Sequence, residues 1–238
     1  MMKRKRENMN LYPGKYDSEI LNWLKNRYGE SEGQRIFQET KKTYQEYLKE
    51  APDYGGKKNG HSTAIYGGLL VFALYHSLPD HPPVSELQDF VQNLFMKPFV
   101  ILGKIFDLNR SFDMKLIDLV FQKTGGRDRK DILKYPAGFI NVNEPYDSEK
   151  QISRYHFLQC PNAEFAKKKG MTDVLPVLCN CDYFGIRCLH GTLIREGTCG
   201  VSDRCDYCIV GDRNPLASEY EIMTDDNGLL ISRKKTLQ

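Results

Sequence analysis

Hydrophobic periodicity changes once along this chain of 238 residues, and that change bounds the fold. Up to the stretch 126–137, apolar residues recur at three- and four-residue spacing, as on one face of a helix. Ile20, Leu21, Trp23 and Leu24 follow Ser18, a cap candidate, and Ile36, Thr40, Tyr44 and Leu48 mark a second helix over 32–49. Ser62–Leu78 is the most apolar segment and reads as a buried helix, with Gly67 and Gly68 permitting close approach of another backbone. Pro79, Pro82 and Pro83 end it. Ser85 with Gln88 three residues on has the form of a capping box, for a helix running to the neighbourhood of Met96 and interrupted near Pro98. Phe112–Phe121 continues helically until Gly125 and Gly126 stop it.

Beyond that point the spacing shortens to two. Gly138–Asn143, Ile152–Leu158, Thr192–Ile194 and Cys205–Val210 read as strands. Asn162 and Thr172 are cap candidates for two short helices, the first stopped by Gly170. Asp226-Asn227-Gly228 is a hairpin turn between Tyr220–Met223 and Leu229–Ser232. The pattern predicts an α+β protein: a helical N-terminal region, 15–135, packed on a smaller Cys-rich α/β region, 136–238, with a mainly antiparallel sheet. Residues 1–14 read as a flexible basic arm.

A chain of this length can bury a sizeable core without disulfide staples. Its 40% apolar and 27% charged content is that of a soluble globular protein. A net charge of +3 without a broad basic face argues against nucleic acid as a partner. The longest apolar run, Ala64–Leu74, is far short of the roughly 20 residues of a membrane span. No apolar stretch follows the opening Lys3-Arg4-Lys5-Arg6, so it is not read as a secretory signal. The expectation is a cytoplasmic protein with a small-molecule substrate and no membrane partner. The Ala64–Leu74 helix serves equally as a core element or as a homodimer face.

All seven cysteines fall between Cys160 and Cys208. An odd number in a reducing compartment points to thiols, metal ligands or catalytic groups more than to disulfides. Cys205 and Cys208 form the single C-x2-C pair, and Cys179-x-Cys181 is a poor second half for a zinc ribbon. The spacing fits none of the common iron–sulfur runs. On a strand, Cys205 and Cys208 point to opposite faces. On a helix, Cys179 and Asp182 share a face while Cys181 points elsewhere. A thiol beside a carboxylate would then be opposed by Cys205 and Asp206.

Four pieces in order carry a resemblance: Phe157-Leu-Gln-Cys160-Pro161, Leu178-Cys179-Asn-Cys-Asp182, Leu193-Ile-Arg195 and Cys205-Asp206-Tyr207, with Gly200 between the last two. In this order the window resembles the L-2-amino-thiazoline-4-carboxylic acid hydrolase family. The resemblance implies a hydrolase of carbon–nitrogen bonds other than peptide bonds. It would open a cyclic amidine-like thiazoline ring on the route to L-cysteine. Cys181, Cys188, Cys199 and Cys208 are additions to the family pattern and leave room for a bound metal or a specialised role.

Ring opening needs a nucleophile at the amidine carbon, a proton for the leaving group and an anchor for the substrate carboxylate. Cys160 precedes a helix opened by Pro161 and Asn162, where a helix N-terminus stabilises a thiolate. Asp182 or Asp206 would hold the amidinium and shuttle protons. Arg195 would clamp the carboxylate through two hydrogen bonds. His156, four residues before Cys160 and on the same face if the strand persists, is a candidate base. A rival mechanism needs a cofactor: Cys160, Cys179 and Cys205 on zinc, with the metal activating water. Two further classes stand beside hydrolysis: a non-catalytic metal or small-ligand binding module, and a biosynthetic family member acting on a different ring. The plain reading of Cys188 and Cys199 is packing. His61, His76 and His81 show no partner pattern, and the aromatic residues of the helical region read as core.

Overall fold

A computed structural model describes residues 11–236. In chain order its elements are α1 (Asp17–Tyr28), α2 (Glu30–Glu50), α3 (Ser62–Ser77), α4 (Val84–Leu102) and α5 (Ser111–Asp131). There follow β1 (Ile140–Asn143), β2 (Ser153–Gln159), α6 (Pro161–Lys169), α7 (Leu175–Cys179), α8 (Cys181–Cys188), β3 (Gly191–Ile194) and β4 (Cys205–Gly211). The short α9 (Pro215–Ser218) leads into a hairpin of β5 (Tyr220–Thr224) and β6 (Leu230–Lys234). The architecture is α+β, and each strand read from period-two spacing lies within two residues of its expected bounds.

The helical region is organised by α3, whose residues Ile65 to Leu74 are all buried. A helix apolar all round must be central. It lies between α2, which buries Ile36, Thr40, Tyr44 and Leu48 along one stripe, and α6. Chain reversal between α1 and α2 uses Gly29 at φ 84°, a left-handed value that favours glycine.

Ser18 caps nothing: α1 begins at Asp17, and the Ser18 hydroxyl donates to Glu19. The Ser85–Gln88 capping box is absent, because α4 starts at Val84 and the Gln88 Oε1 accepts from Asn180 Nδ2 at 2.8 Å. Pro98 does not interrupt α4, which runs on to Leu102. The proline stands on an exposed position and packing on α7 and α8 holds the helix. Gly125 and Gly126 lie inside α5. A Cβ at Gly125 would stand 1.7 Å from Asn143 Oδ1, so this glycine serves close approach of β1. Gly67 and Gly68 do admit neighbours, but these are the side chains of Phe95 and Asn162, not a backbone. Asn162 is not a cap either: Cys160 takes that position, and Asn162 Nδ2 donates to the Ala64 carbonyl of α3. The basic arm read over 1–14 falls partly outside the described residues. Its last part is anchored, with the Tyr44 hydroxyl donating to the Leu11 carbonyl and Tyr12 edge-on to Tyr44.

The sheet has the order β1-β2-β4-β3 and is antiparallel throughout. Tyr155 pairs with Tyr207 and Phe157 with Cys205, so these four share one face. His156 pairs with Asp206 and Arg154 with Cys208 on the other. One hydrophobic cluster runs from Ile20 to Ile209 through both regions. A small second cluster of Ile152, Ile194 and Val210, with Cys208 and α9 residues, covers the reverse of the sheet. Asp225 closes the terminal hairpin by accepting from the Asn227 and Leu229 amides. No described helix is long and apolar enough to cross a membrane.

Candidate active site

The face carrying Tyr155, Phe157, Cys205 and Tyr207 meets the junction of α7 and α8. Cys179 ends α7 and Asp182 stands in the first turn of α8, with Asn180 between them. Their expected common helix is thus two short helices, jointed where Asn180 bonds Gln88, the Gly228 carbonyl and the Leu230 amide. Cys181 turns inward and donates to the Val177 carbonyl, which makes it packing.

Asp182 is the centre of the arrangement. Its Oδ2 accepts from Arg195 Nη1 at 2.9 Å and from the Tyr207 hydroxyl at 2.7 Å. Oδ1 has no hydrogen-bond partner among the described residues, and 41% of the side-chain surface is open. Burial of the carboxyl raises its pKa, against the opposing pull of Arg195 and Tyr207. A carboxyl set deep in a fold, with one oxygen pinned and the other free, is poised to exchange protons with a bound molecule.

Arg195 follows β3 and is wholly buried. The sequence reading made it a clamp for a substrate carboxylate; the structure turns it inward. Nη1 is spent on Asp182, and Nη2 donates to the carbonyls of Cys179 at 3.0 Å and Leu230 at 3.4 Å. Its guanidinium also lies 4.9 Å from the Tyr183 ring centre and 5.7 Å from that of Tyr207. Its Nε is buried and has no hydrogen-bond partner among the described residues.

Cys160, Cys179 and Cys205 come to the same region, close enough that Cys205 raises the pKa of both Cys160 and Cys179. Burial pushes the Cys160 thiol up to about 12, while the backbone N–H groups of Ala163 and Asn162, at the start of α6, pull the other way. Burial raises Cys179 well above its ordinary value, with Arg195 opposing. The thiol of Cys199, then burial, raises Cys205. Cys205 Sγ accepts the Cys199 amide at 3.0 Å, and Cys199 Sγ donates to the Phe157 carbonyl. Cys199 is therefore a buried partner of the site. Among the described residues, no three His, Cys, Asp or Glu side chains stand together as a metal site.

His156 and Asp206 do not join this group. The strand ends at Gln159, so the alternation that would have placed His156 with Cys160 stops short, and His156 lies on the reverse face. Asp206 accepts the amides of Glu196 and Gly197 and orders the loop after β3.

The residues the sequence left unassigned are the aromatic walls. Tyr155 stacks on Tyr207 at 4.6 Å and meets Phe121 of α5 at 4.8 Å. The Tyr183 hydroxyl bonds the Arg195 carbonyl and Ser232 of β6, which fixes the arginine backbone. The spacing within β2 and β4 does not tell that Tyr155 and Tyr207 share a side; the register of the two strands and the position of α8 put them at the site. His61, without a pattern in the sequence, has a partner in space: its Nε2 lies 2.8 Å from Asp128 Oδ2.

A family model described as L-2-amino-thiazoline-4-carboxylic acid hydrolase matches residues 70–209, more than half of the chain. The chain belongs to this family. The match begins in α3 and ends in β4, so the L-2-amino-thiazoline-4-carboxylic acid hydrolase model takes in the site residues from Tyr155 to Tyr207. Membership in the family makes the chain a hydrolase of that type. No curated protein and no solved structure matches it significantly.

Proposed function

We propose that the chain opens a small cyclic amidine of the thiazoline type by hydrolysis at the partly open carboxylate of Asp182. The observation that carries this reading is the half-pinned carboxylate: Oδ2 held by Arg195 and Tyr207, Oδ1 open. An amidine is a base, and its protonated form presents N–H donors to a carboxylate oxygen. The flat aromatic walls of Tyr155 and Tyr207 suit a planar ring.

Cys160 is the nucleophile in this proposal. Its thiol stays protonated in the empty site, and the incoming amidinium supplies the cation that it lacks. The thiol proton passes to Asp182 as Sγ bonds to the amidine carbon and the C=N electron pair moves onto nitrogen. Collapse of this adduct breaks the ring bond, with the proton returning from Asp182 to the departing atom. Water then displaces Sγ from the carbon, and Asp182 takes one of its protons and returns it to the thiolate. The net change is addition of one water across the ring bond. The raised pKa of Asp182 favours both halves of this proton traffic.

In this proposal Arg195 positions Asp182 instead of clamping the substrate carboxylate: Nη1 and Nη2 are hydrogen-bonded within the protein, while the buried Nε has no hydrogen-bond partner among the described residues. The carboxylate of the substrate is left to other donors.

The test is turnover of L-2-amino-thiazoline-4-carboxylate by protein purified without oxygen, in chelator-treated and zinc-replete samples. Equal product in both is expected. Product only with zinc would move the thiols to a metal-ligand role, and no product in either would overturn the substrate assignment.

A further inference from the structure

The outer surface of α4 and α5 is inverted relative to an ordinary surface helix. On α5 the acids Asp113, Asp118 and Asp128 are buried, while Phe112, Leu116, Leu119 and Val120 face outward at 76%, 41%, 55% and 49% exposure. Asp118 accepts from Ser153 of β2, and Asp128 faces His61 and Asn141, so the acids are spent on holding the helix to the sheet. The end of α4 and the following loop add Val100, Ile101 and Ile105, all more than half exposed. An apolar run of this size on the outside of a chain marks a contact surface.

The charges around it are of one sign. From Pro98 to Lys134 the exposed charged residues are Lys104, Arg110, Lys115, Lys123, Arg127, Arg129, Lys130 and Lys134, and every acid in that span is buried or half-buried. Five of these cations, with Asp131 as the one acid, line an open recess of about 1010 Å³ at the C-terminal end of α5. A net charge of +3 over the whole chain conceals this asymmetry.

We propose that this face docks on an anionic lipid surface, with the apolar stripe of α5 at the acyl boundary and the basic recess over phosphate headgroups. Three features favour that occupant. A second copy of the chain would set the same cations against one another. The apolar side chains protrude from the outer face of α5 and from the loop before it, whereas the recess beside them is lined by cations. A helix with apolar residues on its outer face and lysines and arginines beside it suits interfacial binding, and such binding needs no spanning segment.

Flotation of the full chain with vesicles of phosphatidylglycerol and phosphatidylcholine in equal parts, against phosphatidylcholine alone, tests the proposal. Binding to the anionic vesicles is expected, released as salt rises from roughly 0.05 M to 0.5 M. Phe112→Ser with Leu116→Ser should weaken it by about tenfold or more, and Lys123→Glu with Arg127→Glu by a similar factor. These side chains are exposed, so the variants should keep the wild-type melting temperature. No binding to anionic vesicles, or binding unchanged in both variants, overturns the proposal. So does a solution dimer that the Phe112 and Leu116 changes split, which would assign the face to a second copy. Capture by polyglutamate without capture by vesicles would assign it to an acidic protein, with the same consequence.

Discussion

Arg195 donates to Asp182 over 2.9 Å, yet the arginine is fully enclosed while 41% of the aspartate side chain is open. The pair is therefore one-sided: the cation is enclosed in the protein interior and the anion is partly open. Removing the anion leaves a buried charge behind. Asp182→Ala should cost about 3 kcal/mol of stability, the low end for a broken buried pair because the aspartate is partly solvated. Asp182→Asn keeps an oxygen for Arg195 and Tyr207 and should cost less. Chemical denaturation of the two variants checks the order.

The same pair sets a pH dependence. Asp182 has its pKa raised by burial, so its stability contribution is fully present below the usual carboxylate value of about 3.9 and is lost as pH rises through the higher folded value. The stability advantage of wild type over Asp182→Asn should therefore shrink from acid towards neutral pH. Activity that needs the ionised carboxylate should rise over that same interval. Arg195 holds the pKa down, so Arg195→Gln should move the acid limb of the rate profile to higher pH. A limb that stays in place would remove Arg195 from the account.

Cys160 should be a quiet thiol until substrate arrives. With its pKa pushed up to about 12, the thiolate fraction at pH 7 is on the order of one in a hundred thousand. Alkylation of the native protein, read by peptide mass, should modify Cys160 far more slowly than the same cysteine in denaturant. A cationic amidine that is not turned over should speed the reaction in the native protein. Rapid labelling of the empty site would mean that the thiolate is preformed.

Much of this fold could be read from spacing, because the strands and long helices bury residues at their own periods. Ile36, Thr40, Tyr44 and Leu48 form the buried stripe of α2 as the period requires. The misreadings came from residues whose local preference was overruled by a neighbour. Gly125 looked like a stop but admits Asn143, and Pro98 looked like a break but lies on an outer face. In the site, the cysteine window drew attention to Cys160, Cys179, Cys205 and Asp182, which the fold brings to one region. His156 and Asp206 stood in equally suggestive positions, but strand parity sends both to the reverse face. The inward turn of Arg195 depends on Asp182 of α8 and on Leu230 of β6, contacts made by the packing of these elements that leave no trace in the spacing around Arg195.

The role assigned to Gly125 is open to a simple test. In an exposed helix, Gly→Ala gains about 1 kcal/mol. Here the added methyl would meet Asn143 Oδ1 at 1.7 Å, so Gly125→Ala should instead lose about 1–3 kcal/mol as α5 and β1 are forced apart. Gly126→Ala, whose nearest contact is the flexible end of Arg129 at 3.7 Å, should be neutral or stabilising. Thermal melts should show a lowered midpoint for Gly125→Ala and an unchanged or raised one for Gly126→Ala.

The most direct measurement is the rate of L-2-amino-thiazoline-4-carboxylate hydrolysis by wild type, Asp182→Asn and Cys160→Ala, each shown to be folded. The account predicts turnover by wild type, loss of about a hundredfold to ten-thousandfold in Asp182→Asn, and no turnover above background in Cys160→Ala. Hydrolysis at the wild-type rate in either folded variant would contradict the assignment of Asp182 and Cys160 to the site of reaction.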